Sequence, residues 1–125
     1  MHYKKLEVWK LSFQIAVEVK RLTENCRDFG FCDQIRRSAV SVPSNIAEGE
    51  ERETVNESVR FLYIAKGSCG ELVTQILLAK EFGYLSSEQS DYLESKAIRV
   101  SKMLAGLIKS RKGTVREERA EYVAN

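Results

Sequence analysis

Gln34 to Arg52 reads QIRRSAVSVPSNIAEGEER. Together with the residues just before it, Phe31, Ile35, Ala39, Val42 and Ile46 recur at steps of three and four, the period of one helical face. Asp33, Arg37, Ser41, Ser44 and Glu48 fall on the opposite side. Pro43, the chain's only proline, sits inside this pattern. It has no N–H for the Ala39 carbonyl and its ring crowds that group, so a kink is expected there. The apolar stripe keeps its phase across the proline. That predicts one bent helix over about Phe31 to Glu48, ended by Gly49.

Upstream, Val8, Leu11, Ile15, Val19 and Leu22 make the buried stripe of a first helix over roughly Leu6 to Cys26. Trp9, Phe13, Ala16 and Val17 form a second stripe beside it. The combined face is wider than a single partner helix needs, so two neighbours are expected. Trp9 reads as a core anchor near the helix start. A short turn over Arg27 to Gly30 then leads into the second helix.

Downstream, Thr54 followed by Glu57 has the spacing of a capping box. The third helix runs from there to about Phe82, on a heptad seam of Leu62, Ala65, Cys69, Leu72, Ile76 and Ala79. Gly83 ends it. Gly67 and Gly70 lie off that seam, each costing about 1 kcal/mol relative to Ala. With Ser68 and Thr74 they make a small-residue patch, read either as close packing within the bundle or as a subunit interface. Ser86 with Gln89 repeats the capping spacing. A fourth helix over Ser87 to Lys112 uses Leu93, Ala97, Val100, Leu104 and Leu107. Its outer face is acidic early and basic late, with Arg99, Lys102, Lys109 and Lys112.

Short connections between four amphipathic helices predict an all-α, antiparallel up-down-up-down four-helix bundle with a proline-kinked second helix. The bundle is expected over residues 1–112, and residues 113–125 as a mobile charged tail. The length of 125 residues suits one domain, and a single proline favours long helices over many strands.

Catalysis has little to rest on. The one histidine is His2, the carboxylates between Glu48 and Glu57 surround a helix boundary, and no phosphate-binding glycine loop is present. No catalytic residue, metal ligand or cofactor is assigned, and the chain is read as a non-enzyme. Three cysteines without zinc spacing, no secretory leader and no run of 18 apolar residues predict reduced thiols, a cytoplasmic setting and no membrane span. A net charge of +2, from 20 basic and 18 acidic residues, means that any basic patch must come from segregation. Arg36 and Arg37, Arg52, the N-terminal Lys4 and Lys5 and the late basic face of the fourth helix are the candidates.

QIRRSAVSVPSNIAEGEER, with FLYIAKGSCGEL at Phe61 to Leu72 and LAKEFGYL at Leu78 to Leu85, closely resembles the four-helix-bundle family encoded by intervening sequences in bacterial 23S rRNA genes, the S23-type ribosomal proteins. LEVWKLSFQIAVEV at Leu6 to Val19 and MLAGLIKSRK at Met103 to Lys112 fit as well, so the resemblance covers residues 4 to 112. One departure is the segment ENCRDFGF at Glu24 to Phe31, shorter than the family's Phe-Pro and acidic stretch, which implies a tighter first turn. The chain is also similar to the accessory protein of diversity-generating retroelements. The resemblance implies a homo-oligomer, often a ring of five, that binds RNA or DNA without catalysis. Arg36, Arg37, Arg52, Lys109, Arg111 and Lys112 would then contact phosphates, and Ser41, Ser44, Gly67 and Gly70 would form the oligomer interface. The alternative is a protein–protein scaffold that docks a partner such as a reverse transcriptase.

Overall fold

The computed structural model describes the backbone of residues 2–124 and the side chains of residues 3–113. A single 3-10 turn, His2–Lys5, precedes four helices: α1 (Glu7–Leu22), α2 (Phe29–Glu50), α3 (Val55–Glu81) and α4 (Ser87–Ala124). Each helix packs on the next and α1 closes on α4, whereas α1 and α3 lie on a diagonal with no close backbone approach among the described residues. The fold is the all-α up-down bundle that the periodicity predicts.

The core follows the apolar stripes. All six seam residues of α3, from Leu62 to Ala79, are buried, as are Ile35, Ala39, Val42 and Ile46 of α2. Val8, Ile15 and Val19 of α1 face them, with Leu93, Ala97, Val100 and Leu104 of α4. The last turn of that stripe differs from expectation: Ile108 is buried and Leu107 is half-buried, because a step of four from Leu104 keeps the side chain over the core.

Helix ends are where the sequence reading moves most. α1 stops at Leu22 because Thr23 closes its last turn. The Thr23 hydroxyl donates to the Val19 carbonyl at 2.7 Å, and Arg36 donates to Thr23 Oγ1 at 3.0 Å and to the Thr23 carbonyl at 2.9 Å. α2 begins earlier than expected, since Asp28 caps it by accepting from the Phe31 N–H at 3.2 Å. At Thr54 the hydroxyl accepts from the Glu57 N–H at 3.2 Å. At Ser86 and Gln89 both halves of the box form, each at 3.0 Å, so this second motif is the reciprocal one. Gly83 adopts φ +80°, the left-handed stop that glycine permits.

α2 runs unbroken through Pro43, as the continuous stripe predicts, and the kink expected at the proline does not appear as a break. Gly49 does not end the helix. It lies inside α2 and is buried where α2 crosses α3, and a Cβ there would stand 3.1 Å from the Ser58 carbonyl oxygen and 3.3 Å from Phe61 Cβ. Close backbone approach, not termination, is what requires this glycine. α4 continues past Lys112, the end expected from the sequence. Arg, Glu and Ala, all strong helix formers, dominate the stretch beyond Gly113. The tail expected over residues 113–125 falls, apart from Gly113, outside the described side chains.

Candidate nucleic-acid interface

The basic residues singled out in the sequence separate into three groups. Arg36 is consumed inside the fold, where its guanidinium holds Thr23 at the end of α1. Its neighbour Arg37 is exposed and pairs along α2 with Asp33 at 3.0 Å. Both stand about 20 Å along α2 from the end near Glu50, at 1.5 Å per residue. They do not share a surface with the other four.

Arg52 and Arg111 form a second group where α2 gives way to α3. Arg111 reaches from α4 to Glu50 at 2.5 Å and Ser58 at 2.9 Å. The Glu50 side chain is only 5% exposed there, so this pair is a partly buried clamp on three helices. Arg52 pairs with Glu48, and its guanidinium lies 4.5 Å from the centre of the Phe61 ring.

Lys109 and Lys112 belong to a third group, which includes two residues the sequence reading passed over. Tyr63 and Lys66 of α3 and Lys109, Lys112 and Gly113 of α4 line an open groove of about 430 Å³, floored by Ala105 and Ile108. Lys112 Nζ donates to the Tyr63 hydroxyl at 2.6 Å and lies 4.8 Å from its ring centre. No carboxylate lines the groove, and none of the three lysines is in an ion pair among the described residues. Three lysines therefore line one groove with no carboxylate among the described residues, on a chain of nearly balanced charge. The signal was legible only in part: Tyr63–Lys66 and Lys109–Lys112 are both i, i+3 pairs, but the α3–α4 register that brings them together is a tertiary fact.

The small residues also divide. The Ser41 and Ser68 hydroxyls are 2.8 Å apart across α2 and α3, and Asn45 donates to Ser41 Oγ at 2.9 Å, so Ser41 serves a contact within the bundle. Gly67 and Gly70 are exposed, and a Cβ added at either would meet nothing within 4 Å. Packing inside the bundle therefore does not account for these glycines. Ser44 is exposed and lines a second groove, of about 770 Å³, along α1 and α2. Its apolar wall carries Trp9, Phe13, Val17, Val40 and Pro43. Phe13 is 50% and Val40 55% exposed. Trp9 is only half-buried, with its ring in a row with Tyr3 and Phe13 at 5.3 and 5.1 Å, so it edges the core instead of anchoring it. Trp9 and Ala16 of the second stripe of α1 thus pack at the rim of the core, while Phe13 is left exposed.

Cys26, Cys32 and Cys69 are unpaired. Burial pushes the Cys69 thiol up to about 11. Cys32 is likewise raised to about 11, by burial first and then by its hydrogen bond with Cys26. Both are protonated near neutrality, which makes them poor nucleophiles. Among the described residues no three His, Cys, Asp or Glu side chains gather to hold a metal ion, and no helix is long and apolar enough to cross a membrane.

Together these features define a four-helix bundle with a lysine-lined groove between α3 and α4 and an apolar groove along α1 and α2. The sequence model of the 23S rRNA-intervening sequence proteins matches residues 4–106, and the chain belongs to that family. Its fold is similar to the crystal structure of a protein with unknown function from the S23 ribosomal protein family of Bacteroides thetaiotaomicron. The TM-score is 0.77 and the identity 26%, over 82% of this chain and 98% of that one. No match was found among curated proteins.

Proposed function

We propose that the chain is a non-catalytic, cytoplasmic, homo-oligomeric bundle, pentameric as the family resemblance implies, that binds nucleic acid. RNA is the favoured ligand, with a link to 23S rRNA intervening sequences. The observation that carries this reading is the α3–α4 groove, which Lys66, Lys109 and Lys112 line together with Tyr63 and with no carboxylate among the described residues. Ammonium groups so placed take phosphate oxygens, and the half-exposed Tyr63 ring offers a surface on which a base can stack. Arg37 and Arg52 are outlying phosphate contacts in this scheme. Arg36 and Arg111 act by holding the fold. Repetition of the groove around an oligomer multiplies a weak site into a usable affinity.

A second reading, a scaffold that docks a protein such as a reverse transcriptase, is favoured by the exposed aromatic wall of the α1–α2 groove. The two separate in one experiment. The purified chain is mixed at low salt with structured 23S rRNA fragments, and the RNA that co-purifies with it is sequenced. Retarded fragments and enrichment of defined RNA support the first reading. Absence of any RNA complex at low salt overturns it.

A further inference from the structure

We infer that the α1–α2 groove of one copy receives the outer face of α3 from the next, with α1 and α3 parallel, in a head-to-tail contact. This rests on the self-association proposed above, and adds which faces meet and in what direction.

α3 has two seams. The inner one, Leu62 to Ala79, is spent on the core. On the outer side Gly67, Gly70, Thr74, Leu77 and Glu81 repeat the same spacing of three and four, with Leu78 beside them. Such spacing is what a helix presents to another helix. Leu77 and Leu78 are 43% and 40% exposed, and the glycines have open space in front of them. The groove on α1 offers the inverse relief: large rings at Trp9 and Phe13, then the smaller Ala16 and Val17, then Lys20 and Arg21.

One register satisfies both surfaces. With the helices parallel, Trp9 and Phe13 lie against Gly67, Gly70 and Thr74, where the absent or small side chains leave room for rings. Ala16 and Val17 then meet Leu77 and Leu78. Lys20 and Arg21 meet Glu81. Neither cation has a carboxylate within ion-pair distance, and Glu81 has no cation, among the described residues. An antiparallel register sets the leucines against the rings and Glu81 against the aromatic end.

The two faces lie on different sides of the molecule, since α1 and α3 occupy a diagonal of the bundle. A contact between unlike faces is heterologous, so it builds a ring or an open chain and not a two-fold dimer. Parallel α1 and α3 are what rotation about an axis along the bundle produces, because every helix then keeps its direction from copy to copy. The lysine groove adjoins the first turn of this face, since Tyr63, four residues before Gly67, lines the groove and continues the outer seam.

Light scattering on the full chain tests this. Gly70→Leu is the key variant, since leucine favours helix and Gly70 is exposed with nothing among the described residues within 4 Å of an added Cβ, so the protomer should fold at least as well. Wild type is expected above monomer mass and Gly70→Leu at monomer mass. Glu81→Lys should weaken assembly at least tenfold, and adding Lys20→Glu with Arg21→Glu should restore it. Gly70→Leu assembling like wild type overturns the assignment of the α3 face and leaves self-association standing. Loss in Glu81→Lys without restoration overturns the pairing with α1. A monomeric wild type overturns both.

Discussion

Arg111 on α4 holds Glu50, the last residue of α2, through Nη2 at 2.5 Å while its Nη1 donates to Ser58 in the first turn of α3. One guanidinium therefore joins three helices at the end of the bundle. With Glu50 5% and Arg111 28% exposed, removing one partner strands a charge that water reaches poorly. Arg111→Met should cost about 2 kcal/mol, below the range for fully buried pairs because the arginine is partly solvated. The urea midpoint measures it. RNA affinity at fixed folded fraction should hold, since Arg111 is engaged inside the fold.

Gly49 separates close approach from helix propensity. Gly49→Ala gains helix propensity but presses a Cβ against the α3 backbone, with Ser58 O at 3.1 Å. Backbone yields less than a side-chain tip, so a net loss of about 1–2 kcal/mol is expected. Gly106→Ala, at an exposed site of α4 with nothing within 4 Å, should instead gain about 1 kcal/mol. Thermal melts of both variants decide the matter. Equal gains from the two would mean that α2 and α3 are not in close contact at Gly49.

The Tyr84 hydroxyl donates to Asp28 Oδ2 at 2.6 Å and links the α3–α4 connection to the cap of α2. That bond, then the Phe31 N–H, holds the Asp28 carboxyl below its usual value. The same bond is the main cause that raises Tyr84 to about 12. Asp28 has a folded value below its unfolded one, so its contribution is full above pH 3.8 and is lost as pH falls through the lower folded value. Tyr84 has a folded value above its unfolded one, so its contribution is full below pH 10 and is lost as pH rises through about 12. Tyr84→Phe should lower the urea midpoint between these limits and flatten both flanks of its pH profile. Unchanged flanks would show that the bond does not form in solution.

The sequence carries the bundle in legible form because burial writes itself as period. The α3 seam is buried at every position read from spacing alone, and the α2 stripe at all but Phe31, which is half-buried. Helix ends were less legible, since they depend on partners far along the chain: α1 ends where Arg36, thirteen residues after Thr23, reaches back to it. Gly49 was misread for the same reason, because local sequence cannot distinguish a terminating glycine from one that another helix crosses. Of the six basic residues singled out, only Lys109 and Lys112 meet in one groove. Lys66 and Tyr63, which complete it, come from a helix whose facing register no local pattern encodes. The second stripe of α1 was visible, and α1 does pack on the two neighbours expected, α2 and α4, but Phe13 of that stripe faces outward, which spacing alone does not show.

The claim that the lysine groove binds phosphate is tested most directly by the salt dependence of RNA affinity. Wild type and the triple variant Lys66→Gln, Lys109→Gln, Lys112→Gln are titrated with one 23S rRNA fragment across a series of salt concentrations. Log affinity falls with log salt at about 0.7 per neutralised single-strand phosphate and about 0.9 per duplex phosphate. With all three lysines on phosphate, the triple variant should bind more weakly and lose about 2 to 3 units of slope per protomer engaged. Arg36→Gln should leave the slope unchanged, because that side chain is spent on Thr23. An unchanged slope in the triple variant would contradict the account.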